Sequence, residues 1–443
     1  MPTILGTILA FVLVFGILVF IHEFGHFFTA KLVGIRVEVF SFGYGKRLFG
    51  FKKGDTDYRV SLIPMGGYCR FLGEGLYDKE RPIAPDDFAA KSRPARFAVM
   101  AMGSVMNLIL ALVLLAVVNM GGVTVPIYQE QAPVIGWIED GSPAAAADLR
   151  VDDEILTING RPVATWADVE LAVGSKPERT LTVEVRRGGA VLPVRLRTEK
   201  RTRYEMGYAG FYGKILTQAQ MIAPGSPAAK AGLQPGDVFV SIDGEPVFFY
   251  TFVKTIEKSP DRELVVGIER AGRPLTVRVT PRREGDVGKI GVPVAAQSVL
   301  RRFGVFGALA ESWRENKRLA FVLFRFIGDL FTGEASARQL GGPLEIANFS
   351  YTALRMGVMP LLSWIAFISL QLGILNLFPI PVFDGGQIFV LLVEGLTRRD
   401  LSPRLRAIWM QIGFVIFIAL IGFVVLNDVV KRLPSGWGSL VPW

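Results

Sequence analysis

Ile17-Leu-Val-Phe-Ile-His22-Glu23-Phe-Gly-His26-Phe-Phe-Thr-Ala30 sets two histidines and a glutamate inside a long apolar run. Residues 4–21 hold no ionisable group, and a stretch of about 18 or more such residues reads as a membrane helix. A cleaved signal peptide is a poorer account, because no basic segment precedes the run and no small-x-small site follows it. On a helix, residues four apart share one face, so both imidazoles can meet one ion. Glu23 stands beside them, placed to take a proton from water at that ion. Two neutral imidazoles and an oxygen suit zinc, with a fourth position left for water. The chain has only two histidines, and both belong to this H-E-x-x-H motif. An ionisable group in a membrane helix costs ~2.5–3.5 kcal/mol on insertion scales and is functional by default. A polar cluster that merely glues helices together is the weaker reading.

Composition agrees with the membrane setting. Of 443 residues 51% are hydrophobic and 20% charged, a balance that excludes an ordinary cytosolic enzyme. Further uncharged spans run over 97–120, 360–380 and 408–426. The tract 319–331 is shorter and holds Arg325 and Asp329, so it reads as an amphipathic helix lying on the bilayer or docked on the protein. The net charge of +9 fits a membrane surface better than nucleic acid in so apolar a chain. Cys69 is the single cysteine, which rules out an internal disulfide. Basic residues cluster after the first span and, as Arg398, Arg399, Arg404 and Arg406, between the third and fourth. These loops should face the cytoplasm, with the 121–359 segment outside.

A third metal ligand is missing from the local motif. Asn376-Leu-Phe-Pro379-Ile-Pro381-Val-Phe-Asp384-Gly-Gly386 must break a helix at membrane depth, where irregular backbone survives only if it lines a cavity or is buried in protein. Asp384 is the one carboxylate in that break. Capping of the following helix is its alternative role. In the second span, Asn107 follows Gly103 by one turn and can hydrogen-bond toward the site, which counts it with the substrate-binding residues; interhelical glue is the other reading.

Between the second and third spans the sequence repeats at an offset of 84. Gly141-Ser-Pro-Ala-Ala145 recurs as Gly225-Ser-Pro-Ala-Ala229, Asp153 as Asp237, and Ile158-Asn-Gly160 as Ile242-Asp-Gly244. Two copies of one fold follow. The second copy resembles the core of a bacterial PDZ domain, a module that binds extended peptides by strand addition. The first copy is degenerate, with Asp148, Val151 and Asp152 where the second has Gly232, Pro235 and Gly236.

H-E-x-x-H in one span and Asn376-x-x-Pro379-x-Pro381-x-Phe383-Asp384-Gly385 in a later one resemble the site-2 protease family of intramembrane zinc metalloproteases. Four spans with tandem PDZ modules between the second and third make the chain similar to the RseP (regulator of sigma-E protease) type of that family. Phe383 departs from the usual Leu but stays apolar. The resemblance implies that His22, His26 and Asp384 hold one zinc ion per chain, that Glu23 is the catalytic base and acid, and that Asn376 and Pro379 lie near bound substrate. It also implies that the strands and turns over 41–68 form a membrane-associated β-hairpin whose edge pairs with a substrate strand, near Gly66 and Gly67.

The expected fold is therefore a polytopic α-helical membrane protein with four transmembrane helices, two inserted α+β PDZ-like domains and that hairpin. Its expected divisions are 1–120, 121–205 and 206–298 for the two modules, 299–358 for an amphipathic outer-face segment, and 359–443. The expected function is cleavage of single-span membrane proteins after trimming by another protease, an anti-sigma factor and remnant signal peptides being the substrates that the resemblance implies. Expected partners also include a peptide ligand of the PDZ modules and the lipid bilayer, but no nucleic acid. The expected location is the bacterial inner membrane, with the modules periplasmic and the active site toward the cytoplasm. A metal carrier would need ligands along a path, and a scaffold with an idle metal site would have no use for Glu23.

Overall fold

The computed structural model describes residues 4–73, 83–201 and 205–432. The chain divides into two compact units, one of Met1–Gly122, Arg302–Ile327 and Leu340–Trp443, the other of Val123–Arg301 and Gly328–Gln339.

In the first unit four helices are long and apolar enough to cross a membrane: Ile4–Leu32, Arg93–Gly121, Val358–Asn376 and Arg404–Val430. Each contains or overlaps one of the expected spans. The third ends earlier than 380, at Asn376, because Pro379 and Pro381 lack the N–H that would continue its ladder; helix resumes at Asp384 and runs to Thr397. Gly385 and Gly386 make this restart feasible. A Cβ on Gly385 would lie 2.2 Å from the Phe378 carbonyl oxygen, and one on Gly386 2.3 Å from that of Ile380. Val14 and Leu18 of the first span pack with Ile365 of the third. The 319–331 tract belongs to a longer helix, Val305–Phe331, and its apolar face is docked on protein: Leu319, Ala320 and Leu323 pack against Ala111, Leu370 and Ile374. Ser312 Oγ donates to the Leu112 carbonyl at 2.6 Å.

The segment after the first span forms two long strands, β1 (Val37–Lys53) and β2 (Thr56–Phe71). The pair is more folded than a plain hairpin. Phe40 is opposite both Tyr58 and Cys69, and Ser41 opposite both Arg59 and Tyr68, so β2 bends around β1 and covers both of its edges. The proximal half of β1 alternates buried and half-buried, whereas its distal half is exposed throughout, including Leu48, Phe49 and Phe51.

The two larger sheets of the second unit repeat one plan. One orders Arg161–Pro162, Glu154–Ile158, Thr180–Arg187 and Ala190–Arg197; the other contains Arg273–Val279, Leu264–Arg270, Val238–Ile242, Thr217–Ala219 and Val294–Ala296. Ser142 and Ser226 each cap a short helix by accepting a backbone N–H at 3.2 Å. Asp153 and Asp237 are both fully buried and paired, with Arg187 and Arg270. The degenerate positions keep the backbone of the intact copy: Asp148 has φ 59° where Gly232 has 77°, and Asp152 has 71° where Gly236 has 92°.

Two expected divisions need correction. The first copy does not end at 205. Phe211–Gly213 pairs with Ile135–Ile138, Ala209 and Phe211 lie in the first core, and the N–H of Glu139 donates to Gly210 as that of Ala223 donates to Gly291. The hand-over thus falls after Gly213, because residues 209–213 of the first copy take the place that 290–294 take in the second and close on Ile135–Ile138. Nor is 299–358 one segment. Ser298–Arg301 pairs with Val123–Pro126, and Gly328–Gln339 groups with the duplicated unit through Glu334 on Lys176 and Arg338 on Glu205.

Candidate active site

Helical spacing alone brings His22 and His26 together, their Nε2 atoms 3.2 Å apart. The helix that restarts at Asp384 brings its carboxylate to both, with Oδ2 at 3.1 Å from His22 Nε2 and 3.4 Å from His26 Nε2. Asp384 is the first residue of its helix, and the N-cap position before it is held by Phe383, which makes no side-chain cap. Among the described residues these three form the one group of metal-ligand type, and the Glu23 carboxylate is outside it.

Surrounding groups fix the rings. His26 Nδ1–H donates to the Val99 carbonyl at 2.8 Å, which leaves Nε2 with its lone pair toward the centre. The Asn107 amide nitrogen lies 3.3 Å from His22 Nδ1, while its Oδ1 is buried without a partner. Turning that amide by 180° offers the oxygen to His22 Nδ1–H and leaves Nε2 of His22 free in the same way. Ser104 Oγ donates to Asp384 Oδ2 at 3.4 Å. Gly103 passes so near that a Cβ there would lie 2.3 Å from His26 Nε2 and 2.8 Å from His22 Nε2.

These features fit zinc. Ligand atoms ~2.0–2.1 Å from a tetrahedral ion lie ~3.3 Å from one another, close to all three separations here. Two lone-pair nitrogens and a carboxylate oxygen within 3.4 Å repel one another unless a cation or proton lies between them. Glu23 neighbours the centre on the side of β2: a Cβ on Gly67 would sit 3.0 Å from its Cγ, and the backbone of Cys69 faces its carboxylate.

The other residues expected near substrate are dispersed. The Asn376 amide nitrogen lies 3.5 Å from His22 Nε2. Pro379 is exposed on the break. Gly66 is buried against Tyr44 with φ 131°. Asn107 is fully buried against His22. Sequence reasoning did not single out Ser104 or the Val99 carbonyl. Ser104 had a faint signal, since it lies between Gly103 and Asn107 in an otherwise apolar helix; a backbone carbonyl has none.

Residues 10–420 match Peptidase family M50. The chain belongs to that family. It is 32% identical to the regulator of sigma-E protease RseP of Escherichia coli, over 97% of this chain and 99% of that one. It is also 32% identical to a Neisseria meningitidis protein whose name is that of a zinc metalloprotease, over 96% and 99% of the two chains. The Yersinia pestis protease RseP is 31% identical over 97% and 99%. A solved PDZ domain from Listeria monocytogenes overlaps 19% of this chain at 15% identity and a TM-score of 0.17, too small a likeness to assign a fold. This protein is accordingly an intramembrane zinc metalloprotease of the site-2 type in the bacterial inner membrane.

Proposed function

We propose that His22, His26 and Asp384 are the zinc ligands, that Glu23 is the general base and acid, and that the substrates are single-span membrane proteins. The convergence of the three ligand atoms from chain segments some 360 residues apart carries this reading. When bound, zinc supplies Lewis acidity to the attacking water and the scissile carbonyl. Glu23 takes the proton from that water and returns it to the leaving amine. Val99 and Asn107 hold the imidazoles in the tautomer that ligation needs, and Ser104 steadies Asp384. Asn376, Pro379, Gly66 and Gly67 border the path of the substrate backbone. A membrane helix shields its own amides, so a scissile segment must first unwind, which favours helix-weak residues near the cut. Strand β2 beside Glu23 is suited to pair with the segment so released, and the exposed Leu48, Phe49 and Phe51 of β1, flanked by lysines and an arginine, are suited to dip into the bilayer surface.

The proposed topology puts the catalytic centre toward the cytoplasm and the duplicated unit in the periplasm, from the basic loops flanking the spans. The duplicated copies are proposed to be two PDZ-like domains that take a peptide ligand and restrict access, so that substrates trimmed outside by another protease are admitted. By the names its relatives carry, an anti-sigma factor is the first candidate substrate, with remnant signal peptides the second. Full-length protein in detergent, given a membrane-helix substrate, should cut it, stop on chelation and resume on added zinc. Cleavage that survives both chelation and Glu23→Gln would sink the assignment. Removal of 123–301 should leave a trimmed substrate cut and expose an untrimmed one; an untrimmed substrate still uncut argues against the access filter.

A further inference from the structure

A cavity of about 280 Å³, with none of His22, His26 and Asp384 in its lining, lies between the start of the second span, the Asp384–Thr397 helix and the start of the fourth span. Arg96, Arg406, Trp409, Phe88, Met100 and Val390 are among its lining residues. Among the described residues, Nε of Arg96, Nε of Arg406 and the indole Nε1 of Trp409 are all buried without a hydrogen-bond partner. Each unmet buried donor costs roughly 1–3 kcal/mol, and more when charged, so three around one cavity require an acceptor.

Charge narrows the choice. Arg406 is paired with the fully buried Glu394, and Arg93 with Asp400 at 3.0 Å, while Arg96 has no ion pair among the described residues. One positive charge is left over. The group that fits carries one negative charge and several acceptor oxygens. Glu394 Oε1 also accepts from the Leu401 N–H at 2.9 Å.

The surroundings name the source. Only 6% of the apolar window of the fourth span is buried within the protein, and Leu405, Ile408 and Ile412 beside the cavity are exposed, so lipid must cover them. A tryptophan and arginines at a span terminus mark the headgroup level. We propose that this cavity binds the headgroup of a phospholipid, its phosphodiester accepting from Arg96, Arg406 and Trp409 and its acyl chains lying along the fourth span. The site has room for a headgroup but not for the chains. Because the Asp384–Thr397 helix forms one wall and begins at a metal ligand, a seated lipid braces that helix against the second and fourth spans.

Native mass spectrometry of the full-length protein, stripped of lipid in detergent and titrated with phosphatidylglycerol, whose headgroup carries that single negative charge, tests this. Wild type should take up one lipid tightly. Arg96→Gln should weaken that uptake by at least ~10-fold, as loss of a charge-assisted hydrogen bond implies. Trp409→Phe keeps the ring, removes the donor and should weaken it several-fold, so the test survives if the arginine variant misfolds. Arg404→Gln, at an exposed arginine outside the cavity, should bind as wild type does. Equal uptake by wild type, Arg96→Gln and Trp409→Phe would overturn the proposal. So would full displacement of the lipid by equimolar inorganic phosphate, which would make the ligand a free anion.

Discussion

Asp384 and Asp153 are both carboxylates withdrawn from water, and their partner sets differ. Asp153 is fully buried and amply served: Arg187 donates from Nε and Nη2 at 2.7 and 2.6 Å, and the Arg150 N–H donates at 2.9 Å. Asp384 faces two imidazole nitrogens that have lone pairs to offer and, at 3.4 Å, one hydroxyl. The first set is closed by donors, whereas the second is made of lone pairs and suits a cation. That contrast separates a carboxylate that holds a fold together from one whose surroundings fit a metal, and it applies unit by unit. In the duplicated unit Asp237 repeats the closed arrangement with Arg270 and the Gln234 N–H.

Four substitutions probe the contrast. Glu23→Gln should lower cleavage by ~10²–10⁴-fold, since it removes the proton carrier, while bound zinc and melting temperature stay as in wild type. Zinc lost along with activity would make Glu23 a ligand. Asp153→Asn should act in the opposite sense, destabilising the duplicated unit by roughly 3–5 kcal/mol through a stranded Arg187 while a trimmed substrate is still cut. Calorimetry and a cleavage assay on the same sample read both effects. Its pH dependence has a definite sign. Burial opposes ionisation of Asp153, but the hydrogen bonds from Arg187 and the Arg150 N–H outweigh it and hold the carboxyl below its usual range. Its contribution should therefore be complete above the unfolded carboxyl pKa of ~3.9 and disappear as pH falls through the lower folded value, in wild type but not in Asp153→Asn.

Gly103→Ala sharpens the metal side, because its methyl would intrude on both Nε2 atoms. Zinc affinity should fall by at least ~10–100-fold, measured by chelator competition, with little change in helix content. Unchanged affinity would mean that the second span yields at that point. The smallest effect is a gain. Asp152 adopts φ 71°, which a glycine takes without strain, so Asp152→Gly should stabilise the first copy by up to ~1 kcal/mol, less what is lost with the Lys214 ion pair. Destabilisation by more than that would show the ion pair to outweigh the strain.

The grouping of His22, His26 and Asp384 was legible in the sequence because its chemistry is concentrated. Two histidines in the whole chain, a glutamate between them and one aspartate in a proline-glycine break leave few ways to assemble a metal site. The spans were legible for a similar reason, since twenty apolar residues have few other uses. The hand-over at Gly213 was not, because strand Phe211–Gly213 pairs back across some 75 residues and neither strand is long enough to announce its partner. The folding of β2 over both edges of β1 was hidden as well. Period-two alternation says which face a residue takes, not how many neighbours its strand has. Val99 acts through its carbonyl, which every residue possesses.

The ordering of the ligands along the chain has a consequence for biosynthesis. His22 and His26 leave the ribosome some 360 residues before Asp384, with the entire duplicated unit between them. At ~5–20 residues per second, that interval is about 20–70 seconds. Throughout it a nascent chain has Glu23 and two imidazoles but not Asp384, so on the proposed ligand set it cannot complete the metal centre. Chains truncated before Asp384 should accordingly insert, yet hold zinc no better than His22→Ala does.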